Sequence, residues 1–380
     1  MLARWRWTGA GPSGGSLSTR AQRVFSWTDW STSDDISGSR GPEAGTPVSG
    51  ASTEHAGVAG RRILVTGGSG FVGRHVVATL AAAGAHVRVV DLQPHPDPSV
   101  DIVIGDIADQ ETIDAAFDGG FDGIVHLAAV TSVLRSVEHP EATYRTNVEG
   151  THRLLEGARL TGAGALAFAS TGGAVTGPVA SLPITESAVL APLTPYGATK
   201  AAAEMLMSAY TAAYGLRCVP LRLTNVYGPG MQAKDSIVAR LMRAVRLGST
   251  FEIYGDGTQV RDYVHVSDVV AAFAAALTDD RWHGPTLIGT GHSLSVLDVV
   301  DEVRRVSGAD LQVTHGPAKA GEMPAVVVDA SRARAAGWEP RWTFSEGVAG
   351  VWEEWREMDI AGAAPMPGGA GLAKASEEGS

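Results

Sequence analysis

Ile63, Leu64 and Val65 form the first sustained apolar run of the chain, short and β-branched as a strand buried on both faces requires. Val72, Val76, Val77 and Leu80 then recur at helical spacing, and a second β-rich run over 87–90 ends in Asp91. The alternation continues with a strand over 102–104, a helix over 110–117, a strand over 123–127 and a long helix over 142–160. A strand over 165–169 ending at Ser170 and Thr171, a helix over 196–214 and a strand over 217–223 follow. This spacing predicts an α/β fold, a doubly wound parallel sheet of Rossmann type with ligands at the carboxyl ends of its strands. Gly67, Asp91, Asp106, Ala128, Ser170, Thr171 and Asn225 all follow predicted strands.

From Asn225 the rhythm loosens. Helices are expected near 236–247, 267–277, 296–306 and 344–358, with a short strand over 251–254 and a turn at Gly255-Asp256-Gly257-Thr258. These elements predict a smaller C-terminal α/β domain over 225–358, with chain crossovers to a first domain over 61–224. Trp352 and Trp355 read as core or interface residues of the last helix, and His283, His292 and His315 as surface positions. Residues 1–60 and 359–380, rich in Gly, Ser and Pro or of low complexity, are expected to be disordered. The first of these carries four arginines before its first acidic residue, Asp29, a faint transit-peptide pattern that a loose extension or an over-long translation start explains better.

Composition narrows the function classes. Across 380 residues, 44% are hydrophobic and 19% charged, which suits a folded chain with a sizeable core. A formal net charge of −11 argues against nucleic-acid binding. Cys218 is the single cysteine, so no disulfide or thiolate metal site forms within one chain, and a reducing, cytoplasmic setting fits. No apolar run approaches the roughly 20 residues that span a bilayer, and no metal site is expected.

Two stretches carry the chemistry. Between the first strand and helix lies Thr66-Gly67-Gly68-Ser69-Gly70-Phe71-Val72-Gly73, whose glycines fit both G-x-G-x-x-G (68, 70, 73) and G-x-x-G-x-x-G (67, 70, 73). Such a loop lets backbone N–H groups approach a pyrophosphate at a helix N-terminus. Asp91, ending the second strand, can accept hydrogen bonds from an adenosine ribose. With Leu92 and Gln93 beside it, nothing receives a 2′-phosphate, so NAD is expected over NADP. The second stretch is Tyr196-Gly197-Ala198-Thr199-Lys200. Spacing of i and i+4 puts phenol and ammonium on one helix face, and the ammonium together with a positively charged nicotinamide would favour the phenolate, making Tyr196 a general base.

These motifs, with GDI at 105–107, HLAA at 126–129, NVEGT at 147–151, STGGAVTG at 170–177, LRLTNVYGPG at 221–230, GDGTQVRDYVHVSD at 255–268 and GE at 321–322, resemble the extended short-chain dehydrogenase/reductases over residues 61–357. Within that group the chain resembles the NAD-dependent epimerase/dehydratase family, most of all its UDP-glucose 4-epimerase-like enzymes. The resemblance implies a cofactor site of Gly67, Gly70, Phe71, Val72, Gly73, Asp91, Asp106, Ile107, Leu127, Ala128, Ala129, Asn147, Ser170, Tyr196 and Lys200. It implies a catalytic group of Tyr196, Lys200 and Thr171, with Ser170 as the alternative hydroxyl, and nucleotide-sugar contacts from Thr131, Asn225, Arg261, Lys319 and Glu322. Arg261 can also be read as a surface arginine paired with Asp262 or Asp268. A homodimer through the helices over 142–160 and 196–214 is implied as well.

Three positions depart from the family pattern. Gly172 and Gly173 follow Thr171 where many epimerases carry a third hydroxyl and dehydratases an Asp-Glu pair; Thr176 replaces a common tyrosine; Lys319 replaces an arginine and loses its fork. The expected function is NAD-dependent epimerisation at C4 of a nucleotide-diphosphate sugar through a 4-keto form. A 4,6-dehydratase, a decarboxylase, a ketosugar reductase and a non-catalytic NAD(H) sensor are the rivals.

Overall fold

A computed structural model describes residues 56–358 except 180, 319–322 and 324. The expected tail, most of the N-terminal extension, Lys319 and Glu322 lie outside the described residues. Order begins before 61, since Ala56–Val58 forms a 3-10 turn and Val58 is fully buried.

The first half supplies β1 (Arg62–Thr66), β2 (His86–Asp91), β3 (Asp101–Ile104), β4 (Gly123–His126), β5 (Ala165–Thr171) and β6 (Arg217–Leu223). Later come β7 (Asn225–Tyr227), β8 (Phe251–Tyr254), β9 (Val260–His265), β10 (Thr286–Ile288), β11 (Ser293–Ser295), β12 (Val313–Gly316) and β13 (Ala325–Val326). Seven strands form one sheet in the order β10-β6-β5-β4-β1-β2-β3, every pairing parallel. Strand order reverses between β1 and β4, and there a crevice opens at the carboxyl edge.

Alternation along β1 explains the two faces. Ile63 and Val65 meet helix α1 (Phe71–Ala82) through Val76, Val77 and Leu80. Leu64 points the other way, into a cluster with Ile113 of α2 (Gln110–Ala116). Truncating a fully buried leucine such as Leu64 to alanine costs about 2–5 kcal/mol.

The expected long helix over 142–160 is continuous but carries a π-helical segment. The chain forms α3 (Val133–Glu138), α4 (Pro140–Tyr144), one π-helical turn at Arg145–Gly150 and then α5 (Thr151–Thr161). Two contacts hold it: Thr151 Oγ1 donates to the Asn147 carbonyl at 2.7 Å, and the Asn147 side chain binds both backbone groups of Val130. Helix α6 (Pro195–Tyr214) is capped by the Thr194 side chain and ended by Gly215 at φ 73°.

The later chain adds α7 (Ile237–Leu247), α8 (Val266–Thr278), α9 (Val296–Ser307), α10 (Ser331–Ala335) and α11 (Phe344–Glu357). Helices α7, α9 and α11 enclose their own core with Tyr227, Phe251, Ile253 and Trp355, and Trp352 packs against it. Helix α8 returns to the main sheet through Val269, Phe273 and Leu277. Strand β9 pairs with β7, β11 and β13, so the middle of the 255–268 motif is a central strand, preceded by the expected turn at Gly255. His283, His292 and His315 are exposed. Among the described residues no helix is long and apolar enough to cross a membrane, and no cluster of His, Cys, Asp or Glu could hold a metal.

Candidate active site

At the reversal point, β1 runs into the glycine loop. Gly67 has φ +73°, and a Cβ there would stand 2.6 Å from the Ala128 nitrogen, so loop and β4 end pack backbone to backbone. A Cβ on Gly73 would collide with the Gly67 carbonyl. Helix α1 starts after Gly70 with no side-chain cap, which leaves its first N–H groups for an anion. The Asp91 carboxylate accepts from Ser69 N at 3.0 Å and from Gln93 N at 3.1 Å, holding it beside the loop. Loop and acid together fit a dinucleotide.

Around this cradle the expected cofactor residues divide. Val72 and Leu127 line the main cavity. Asp106 accepts from Ala108 N and pairs with Arg145. Ile107 is buried and lies where a side chain on Gly150 would strike it, so it acts as support below the surface. Asn147, 2% exposed, also stays beneath the site: its Nδ2 donates to Thr199 Oγ1 at 3.0 Å, and Thr199 donates to the Tyr196 carbonyl at 2.8 Å.

That chain continues inward through a residue whose chemistry the motif alone did not reveal. His126 is fully buried, with Nδ1 2.7 Å from Thr66 Oγ1 and Nε2 2.8 Å from Thr151 Oγ1. Thr151 gives its proton to the Asn147 carbonyl, so His126 must donate from Nε2 and accept at Nδ1. Burial, aided by the positive charge of Lys200, pushes His126 down to about 3. A neutral, single-tautomer imidazole thus links β1 through the π turn to the start of α6.

The cavity, about 910 Å³, opens over this frame and is lined by Tyr196 and Lys200 on α6, as their spacing predicts. Their electrostatics differ from expectation. Burial pushes the Tyr196 phenol up to about 12. Burial also pushes Lys200 down to about 7 against the opposing pull of Glu204. Lys200 Nζ donates to the Ala169 carbonyl at 2.8 Å and lies 4.4 Å from the Phe168 ring centroid. Desolvation therefore dominates the protein's own contribution, and lowering the phenol's pKa falls to a positive charge brought by a ligand.

Ser170 and Thr171 both line the cavity, yet only one is committed. Ser170 Oγ donates to Glu204 Oε1 at 2.5 Å, and Glu204 forms a buried pair with Arg222 at 2.7 Å. This favours Thr171 as the working hydroxyl. Lys200 and Glu204 share α6 at i and i+4, a signal present in the sequence. Thr176 is buried with its hydroxyl on nearby backbone carbonyls. A Cβ on Gly173 would meet Met323 and Val326 at 3.1–3.3 Å, and one on Gly172 would meet Leu287 at 3.2 Å. Glu186 turns away, accepting from Leu287 N at 2.9 Å.

Thr131, Asn225 and Arg261 line the same cavity. Asn225 Nδ2 donates to the Asp262 carbonyl at 3.0 Å. The two carboxylates read as surface partners of Arg261 are both buried. The Asp262 carboxylate accepts from Thr224, Thr290 and Gly291, and Asp268 from the backbone of Arg341 and Trp342. Lys234, Ser236, Arg240 and Gln259 also line the cavity and were not singled out by sequence; isolated polar residues around a loop carry no periodic signal.

The sequence profile of the NAD dependent epimerase/dehydratase family matches residues 63–288. The chain is 34% identical to a UDP-glucose 4-epimerase from Thermotoga maritima solved with UDP-glucose, at a TM-score of 0.74 over 78% of this chain and 98% of that one. The UDP-glucose 4-epimerase of Thermus thermophilus, in complex with NAD, is 36% identical, with TM-score 0.73, covering 78% and 99%. DesIV, a dTDP-glucose 4,6-dehydratase from Streptomyces venezuelae with NAD and TYD bound, is 32% identical with TM-score 0.72, covering 78% and 97%. Sheet order, glycine cradle and profile agree: the chain belongs to the NAD-dependent epimerase/dehydratase family, and its cofactor is NAD.

Proposed function

We propose that this protein epimerises C4 of a UDP-type nucleotide sugar through a transient 4-keto sugar. Bound NAD supplies the hydride acceptor and donor. Tyr196 takes the proton of the C4 hydroxyl and returns it after the sugar has turned over. Thr171 holds the C4 oxygen, while Lys200 binds the cofactor ribose and supports the phenolate. Asn225, Arg261, Lys319 and Glu322 hold the nucleotide diphosphate and sugar, a guanidinium suiting phosphate oxygens bidentately.

The observation that carries the choice of epimerase is the pair Gly172-Gly173. A dehydratase needs an additional acid and base within hydrogen-bond reach of C5 and C6. Here those positions hold no ionisable group, they pack against Met323, Val326 and Leu287, and Glu186 is occupied elsewhere. Incubation with UDP- and dTDP-sugars and resolution of the products tests the reading: UDP-glucose and UDP-galactose should interconvert, and release of water or carbon dioxide would refute it.

A cytoplasmic homodimer completes this reading. Leu160 on α5 and Met205 and Tyr214 on α6 are large apolar residues more than half exposed, which suits pairing of these helices with a second copy. Sedimentation at micromolar concentration should give twice the monomer mass, and a monomer would count against it.

A further inference from the structure

The loop between β7 and α7 reaches across to the helix that heads the cofactor cradle. Arg74 Nη2 donates to the Gly230 carbonyl at 2.9 Å, and His75 Nε2 lies 2.9 Å from the Pro229 carbonyl. Four residues on, Lys234 extends its ammonium to 5.0 Å from the ring centroid of Phe71, the first residue of α1. Three successive contacts thus fall on Phe71, Arg74 and His75. The loop is pinned from behind as well: Lys234 N donates to the Met231 carbonyl, and Arg243 Nη2 to the carbonyls of Gln232 and Lys234. Asp235, its neighbour, pairs with Arg240 instead.

Lys234 therefore brings a positive charge to the mouth of the glycine loop, with an aromatic face as its partner among the described residues. Such a contact is weak beside the cost of desolvating an ammonium, and burial accordingly holds Lys234 below its ordinary pKa. An anion restores the balance. We infer that the Lys234 ammonium binds a pyrophosphate oxygen of the cofactor, reaching it from its place over the Phe71 ring. The position above Phe71 favours the dinucleotide, although the nucleotide sugar carries the same phosphate chemistry into the same cavity.

The inference rests on the cofactor site and not on which sugar is turned over, so NAD binding without sugar tests it independently. Protein stripped of nucleotide is titrated with NAD for wild type, Lys234→Met and Lys234→Arg, and the nucleotide retained on purification is counted. The methionine variant should bind NAD about ten- to a hundredfold more weakly, as loss of one charge-assisted hydrogen bond implies. Its affinity should also depend less on salt than that of wild type, and arginine should restore most of the loss. If the methionine variant misfolds by circular dichroism, Lys234→Gln takes its place with the same expectation. Wild-type NAD affinity in the folded neutral variants overturns the inference. So does an unchanged NAD affinity with a raised KM for UDP-sugar, which would assign the ammonium to the substrate.

Discussion

The wall proposed to take the dinucleotide and the wall proposed to face the sugar are built on opposite plans. On the first, the groups proposed to bind are mainly backbone amides of the loop 67–73 and one carboxylate, Asp91, all within some thirty consecutive residues. The loop is fixed by contacts so tight that a single Cβ on Gly67 or Gly73 has no room. On the second wall, Asn225, Arg240 and Arg261 come from separate segments, and side-chain charge replaces backbone geometry. Their frame is β9, which exists through pairing with β7, β11 and β13. A rigid wall of amides suits a cofactor that stays bound; a wall of longer side chains suits ligands that exchange. Tyr196 stands on the seam.

Removing the seam residue should have the largest effect. Tyr196→Phe is expected to lower turnover by about 10²–10⁴-fold, the range for a general acid–base group, with NAD and nucleotide sugar still bound. Near-normal turnover in the folded variant would dissolve the distinction between the seam and the walls.

A paired experiment separates the walls themselves. Gly73→Ala should yield protein that purifies without nucleotide, because the added methyl displaces the loop. Arg261→Leu should retain NAD and raise KM for the nucleotide sugar about 10–100-fold, the equivalent of one charged hydrogen bond. Loss of NAD from the arginine variant, or its retention by the glycine variant, would contradict the division.

The same contrast explains what the sequence made legible. The first wall follows local rules of turn, dipole and strand order, so loop, acid and parallel sheet could all be read from 62–91 and the alternation after it. Tyr196 and Lys200 were legible through i, i+4 spacing. The π turn was not, because it depends on Asn147 bonding to Val130, seventeen residues away. Strand β9 was read only as a motif, because Arg261 and Asp262 break its apolar pattern and its pairing partners lie far off in sequence. The direction of the Tyr196 shift was missed for a related reason: spacing shows that an ammonium is near, but not that it turns to the Ala169 carbonyl or how deeply both groups are buried.

The frame beneath the first wall has a smaller, pH-dependent signature. His126 has its pKa lowered to about 3 in the folded chain, against about 6.5 unfolded. Between those values the unfolded state binds the extra proton, so stability falls as pH drops through that window, with a limiting slope of about 1.4 kcal/mol per pH unit. Above pH 6.5 the contribution is fully present. Denaturant unfolding from pH 7 to 4 should show this slope diminished in His126→Gln; an identical slope would mean the imidazole is not held neutral.

The central claim is that chemistry stays at C4. UDP-galactose turned over in deuterium oxide, with the product sugar analysed by mass and proton NMR, tests it most directly. The account predicts UDP-glucose of unchanged mass, inverted at C4, with no deuterium on carbon. Deuterium at C5 or C6, or a product lighter by one water, would place the protein among the dehydratases of its family and contradict the account.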